Sequence, residues 1–182
     1  MKISLPEASP EALAHSQAFT RTLKQHIREN NGAIPFSRFM ELALYAPGMG
    51  YYSAGSSKFG AEGDFVTSPE LGAIFAKCIA TASVKVLQQL EDETVFFELG
   101  GGSGAFAEHA LKQFFELNIV PTRYCILEPS ADLRERQRQR LKENLPAELF
   151  SRCEWLDGPF ESAWQGVLFA NEVLDALPTP RF

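Results

Sequence analysis

Four acids and a dense run of glycines are the residues of this chain best placed to do chemistry. The segment Glu98-Leu-Gly-Gly-Gly-Ser-Gly104 sets an acid ahead of Gly100, Gly102 and Gly104 at alternate positions. Glycines there let the backbone turn tightly and approach a ligand with no Cβ in the way. Residues 105–117 read as a helix whose first N–H groups would point at that ligand. Glu98, Glu128, Asp157 and Glu172 each lie at the end of a short apolar run. A carboxylate has two acceptor oxygens, so Glu128 suits the two hydroxyls of a ribose. Asp157 is similarly placed for an adenine amino group, and Glu98 for a ligand's cationic amine. At Asn171-Glu172 a carboxylate can grip a guanidinium by a forked, charge-assisted pair. Asp175 joins it on the same face if that segment is helical. For each acid the competing reading is a solvated loop carboxylate, and for Asp175 a helix cap.

These side chains need elements that bring strand ends together. Strands are expected at 95–99, 124–127, 153–156 and 167–170, with helices at 105–117 and 131–144 between the first three. That alternation predicts an α/β fold with a parallel sheet and right-handed crossovers. Ligands in such sheets lie beyond the carboxyl ends of the strands, which is where the four acids fall. The last crossover, 158–165, is too short for a full helix. A doubly wound sheet usually has five or more strands, so this one reads as truncated after strand 4. Ahead of it, 10–30 reads as an amphipathic helix stopped at Asn30-Asn31-Gly32, and a second helix runs from near Pro35 through Leu44. A glycine- and tyrosine-rich loop follows at 48–64, and Ser68-Pro69-Glu70 looks like the start of a helix reaching about Leu90. The expected division is a helical N-terminal region, 1–92, and the first half of a Rossmann-like domain, 93–182.

Composition narrows the function. The 182 residues are 45% hydrophobic and 22% charged, as in an ordinary globular protein. A net charge of −6 argues against a nucleic-acid surface, since that affinity rests on Lys and Arg. Arg134, Arg136, Arg138 and Arg140 are interrupted by acids and read as a solvated helix. Cys78, Cys125 and Cys153 form no close pair, which suits neither a disulfide framework nor a metal site. No apolar stretch approaches the ~20 residues that span a bilayer, so no membrane insertion is expected. The first residues lack the apolar core of a signal peptide and the Arg-rich, acid-poor character of a transit peptide, so neither is expected.

The glycine turn fits two cofactor patterns. Glu98-x-Gly100-x-Gly102-x-Gly104 is the spacing of methyltransferases that use S-adenosylmethionine (SAM). Gly100-x-Gly102-x-x-Ala105 with Glu128 also meets a relaxed dinucleotide fingerprint, which keeps an NAD(P)- or flavin-dependent oxidoreductase open. Five segments together are more specific. They are residues 39–52, Gly63-Asp-Phe-Val-Thr-Ser-Pro-Glu70, Glu98-Leu-Gly-Gly-Gly-Ser-Gly104, Tyr124-Cys-Ile-Leu-Glu-Pro-Ser130 and Phe169-Ala-Asn-Glu-Val-Leu-Asp-Ala-Leu-Pro178. In these the chain resembles the MidA-like SAM-dependent methyltransferases, whose mitochondrial members act in respiratory complex I assembly. The resemblance implies a Rossmann-like class I methyltransferase fold, SAM as cofactor and a protein substrate methylated on arginine. It implies that Gly63, Asp64, Thr67, Ser68 and Pro69 help cover the cofactor; from their place after the fourth strand, Asn171 is expected at its edge and Glu172 and Asp175 as catalytic carboxylates. A non-catalytic SAM-binding assembly factor and a homodimer remain open. A bacterial cytoplasmic setting is expected over the mitochondrial matrix.

Overall fold

The computed structural model describes residues 7–53 and 72–181. They divide into two compact units, 7–53 with 176–181, and 72–175.

In the first unit, α1 (Pro10–Glu29) starts with proline at its first position, where no N–H is missed, while Ser9 Oγ accepts from the Ala12 N–H at 3.1 Å. It ends where Asn31 and Gly32 take left-handed backbone conformations. The chain then enters α2 (Phe36–Tyr45) and folds back on it, with the Tyr51 and Tyr52 N–H groups donating to the Ala43 and Leu44 carbonyls. The His15 ring meets the Met49 carbonyl at 2.9 Å, and Tyr45 Oη donates to the Ala176 carbonyl.

The second unit opens with α3 (Ala73–Leu87), entered from Gly72. The helix start expected at Ser68-Pro69 lies outside the described residues, and so do Gly63, Asp64 and Thr67. Then come β1 (Val95–Leu99), α4 (Ala105–Glu116), β2 (Arg123–Leu127), α5 (Ala131–Asn144), the one-turn α6 (Ala147–Phe150), β3 (Cys153–Leu156) and β4 (Gly166–Ala170). All pairings are parallel and the strand order is β3-β2-β1-β4. The strands lie within a residue of expectation because apolar runs here are bounded by glycine, proline and acids. The short α6, unforeseen, opens at Pro146.

Strand alternation sorts the core into two faces. Phe96, Tyr124, Ile126 and Phe169 meet α3, α4 and α5 on one side, where Phe96 stacks on Tyr124 and Phe106 on Phe169. Each such ring contributes roughly 1.5–3 kcal/mol by leaving water. Val95, Phe97 and Cys125 face the other side, covered by Phe160 and Trp164 from the β3–β4 connection. That connection forms no helix, and Leu168 of β4 stays 54% exposed. The chain runs β1-β2-β3 in one direction and then returns to the far side of β1. The loops after β1 and β4 therefore part at the sheet's switch point, the usual place for a ligand.

Candidate active site

The glycine turn leaves β1 at this switch point. The Gly100 N–H donates to the Leu127 carbonyl, which ties the turn to the end of β2. Gly100 has φ +67°, and a Cβ there would lie 2.7 Å from Val173 Cγ2, so glycine lets the loop after β4 close on the turn. Gly102 is different: at φ +52° its Cβ would meet nothing within 4 Å. A side chain there would occupy free space above the turn, the kind of cradle in which backbone approaches a nucleotide. Gly104 then begins α4.

Glu128, one residue past β2, is buried beside the turn. One carboxylate oxygen accepts from the Ser130 N–H at 3.0 Å and the other lies 3.4 Å from Gln137 Nε2. Burial raises its pKa, against the lowering effect of those donors and of nearby Arg134. Arg134 joins the ends of β2 and β3. Its Nε donates to the Glu128 carbonyl at 2.6 Å, its Nη2 to the Leu156 carbonyl and its Nη1 to Asp157 Oδ1 at 2.7 Å. Asp157 thus stands at the end of β3 as expected, largely exposed and paired with Arg134. Its carboxylate keeps further acceptor capacity for a ligand.

Glu98 lies lower. It shares the helix-covered face with Phe96 and accepts from Tyr124 Oη at 2.7 Å. Only 2% of it is exposed, and burial pushes its pKa up to about 8, with Glu128 adding to the rise and the Tyr124 bond opposing it. On the β4 side Asn171 Nδ2 lies 3.4 Å from Glu172 Oε1, and Glu172 is exposed with φ +53°. That backbone conformation costs a non-glycine residue about 1 kcal/mol or more and tends to be kept at functional positions. The segment is not helical at 171–173; only Leu174–Ala176 forms a 3-10 turn. The helical spacing that would have set Asp175 beside Glu172 is therefore absent, although both acids are exposed.

Comparison with known proteins settles the family. Residues 78–182 match the family described as "Putative S-adenosyl-L-methionine-dependent methyltransferase". The chain belongs to this family. A crystal structure of a Burkholderia thailandensis protein bound to S-adenosyl-homocysteine superposes with a TM-score of 0.86 at 42% identity, over 96% of this chain and 46% of that one. The mitochondrial protein arginine methyltransferase NDUFAF7 homologue of Drosophila melanogaster is 33% identical over 61% of this chain and 26% of its own length. Its Caenorhabditis elegans counterpart is 29% identical over 96% of this chain and 45% of its own. The chain thus spans less than half the length of these relatives. Its fold is the class I methyltransferase fold, and the family is SAM-dependent, which decides against the nicotinamide and flavin alternative.

Several site residues of this methyltransferase relative escaped sequence reasoning. Arg134, expected on a solvated helix, is a clamp between strands. Arg140 Nε donates to the buried Glu108, which also accepts from Lys112, and Arg138 lies over the Trp155 ring. Burial alone would raise the Glu108 pKa, but these cationic donors bring it below the usual value. Gln137, fully buried, joins the turn, Glu128 and Trp155. Its signal was its spacing, four residues from both Leu133 and Leu141, which puts it on the apolar stripe of α5.

Proposed function

We propose that the protein is a SAM-dependent methyltransferase acting on a protein side chain, arginine by family resemblance, with respiratory complex I assembly or function as its setting. The observation that carries this reading is the meeting, at one switch point, of an open glycine turn with buried Glu128 and of the Glu172 loop. Bound SAM supplies a methyl group on a sulfonium, open to in-line attack by a nucleophile. Positioning is then the main demand on the protein. Glu128 takes the ribose hydroxyls, Asp157 the adenine amino group, and the backbone of Gly100, Gly102 and Gly104 the amino-acid end. Glu98 stands beneath the turn for the ligand's cationic amine, whose charge would favour the ionised form of its otherwise protonated carboxyl. Asn171 borders the cofactor, and Gly63, Asp64, Thr67, Ser68 and Pro69 cover it. Glu172 grips the guanidinium and aims one nitrogen, with Asp175 as a second carboxylate for the same group. The higher identity to the bacterial structure than to the mitochondrial relatives supports a bacterial cytoplasmic setting.

Calorimetric titration of the full protein with SAM and S-adenosyl-homocysteine, with NADH as control, tests the cofactor. Methyl transfer from labelled SAM to arginine-containing lysate proteins tests the reaction. Glu172→Gln is expected to keep cofactor affinity and lose transfer. Full transfer by that variant would remove the proposed role of Glu172, and tight SAM binding with no turnover on any substrate would favour a non-catalytic assembly factor.

A further inference from the structure

We propose that Gln137 is a positioning residue for the cofactor: its buried amide holds the glycine turn and the Glu128 carboxylate in fixed relation. This rests on the reading of Glu128 as the ribose ligand. Gln137 lies on α5, contacts no solvent, and reaches three other elements. Its Oε1 accepts from Trp155 Nε1 of β3 at 2.8 Å. Its Nε2 donates to the Gly102 carbonyl at 2.9 Å and lies 3.4 Å from Glu128 Oε2. The chemistry fixes this orientation. An indole nitrogen can only donate, while a carbonyl and a carboxylate can only accept, so a flipped amide would oppose donor to donor and acceptor to acceptor.

The position is also sterically matched. A Cβ on Gly101 would come within 3.0 Å of Gln137 Nε2 and 2.9 Å of Ile126 Cγ2, so the turn rests directly on this amide. Gly102 is the residue above which space is open, and its carbonyl is the one Gln137 holds. Moving the amide would therefore displace the backbone that meets the cofactor and the acid that meets its ribose together. A leucine of similar volume would fill the site but leave the Trp155 donor and the Gly102 acceptor without this partner.

Gln137→Glu separates positioning from packing, because it keeps shape and the acceptor for Trp155 while losing the donor. The charged groups around it are Glu128 at the end of β2, coupled to Glu98 on β1 and to Arg134 on α5, and Arg140 one turn on along α5. Two neighbouring carboxylates share a proton as pH falls, and a protonated side chain at 137 donates again. The experiment is calorimetric titration of S-adenosyl-homocysteine into the full wild-type protein, Gln137→Glu, Gln137→Leu and Glu128→Gln at pH 5.5, 7 and 8.5. We expect Gln137→Glu to bind at least tenfold more weakly than wild type at pH 8.5. That ratio should narrow several-fold at pH 5.5, while Gln137→Leu stays weak at every pH. Trp155 emission, read in a Trp164→Phe background, should shift on ligand addition in the Gln137-containing protein and not in Gln137→Leu. Affinities of Gln137→Glu within twofold of wild type at all three pH values would overturn the proposal, as would an equal loss at all three. If Glu128→Gln keeps wild-type affinity while the Gln137 variants behave as expected, the ribose reading of Glu128 falls and the hold of Gln137 on the turn stands.

Discussion

Glu98→Gln should gain stability relative to the ligand-free wild-type protein as pH rises. Glu98 is 2% exposed, its nearest donor is Tyr124 Oη at 2.7 Å, and its carboxyl titrates at about 8 rather than 4.5. The folded protein therefore keeps a proton that the unfolded chain releases above about pH 4.5. Each pH unit between about 4.5 and 8 then removes about 1.4 kcal/mol of stability. The loss amounts to about 3 kcal/mol at pH 7 and levels off near 5 kcal/mol above pH 8, a large part of the ~5–15 kcal/mol that holds a domain together. A glutamine fits the same space, still accepts from Tyr124, and never has to take up a proton. Any cost of its extra N–H donors, about 1–3 kcal/mol, does not vary with pH. Urea denaturation of both proteins at pH 5, 6, 7, 8 and 9 reads the difference directly. A gap in unfolding free energy that widens to pH 8 and then stays constant is expected. A gap independent of pH would refute the reasoning, since it would mean that Glu98 titrates alike in both states.

Gly102→Arg should abolish S-adenosyl-homocysteine binding in calorimetry while lowering stability by only about 1 kcal/mol, because the new side chain projects into open space from a left-handed backbone. Gly166→Ala should cost about 3 kcal/mol or more in urea denaturation, since a Cβ there would fall 1.8 Å from the Val95 carbonyl oxygen across the β1–β4 pair. Arg134→Ala should lose about 1–3 kcal/mol, measured the same way, by freeing the ends of β2 and β3, and should also weaken S-adenosyl-homocysteine. Asp157→Ala, which removes only the exposed partner of that arginine, should change stability by less than about 1 kcal/mol.

What could be read from the sequence, and what could not, follows from how local the determining forces are. The boundaries of β1 and α5 were legible because glycines, a serine cap and apolar runs act on the backbone within a few residues of themselves. Arg134 was not legible. Its partners are the carbonyls of Glu128 and Leu156, which come together only once β2 and β3 pair, and no spacing inside an arginine-rich helix reports that pairing. Gln137 was missed as well, although its place on the Leu133–Leu141 stripe carried a signal for burial, if not for what it holds.

The four acids make the same point through strand parity. Glu128 and Asp157 lie one residue past their strands and Glu172 two, where the chain is free of the pleat. Glu98 is the penultimate residue of β1, so alternation sends its carboxyl down with Phe96 towards the helices and Tyr124. Placing an acid at a strand's end is therefore not enough to put it on the ligand. A carboxyl inside the strand obeys the pleat and is held in the core, and one beyond the strand follows its loop and can work by contact. On that ground Glu128 and Glu172 are the acids whose conservative substitution should be felt directly by cofactor and acceptor. Glu98 should instead show itself first in the pH dependence of folding.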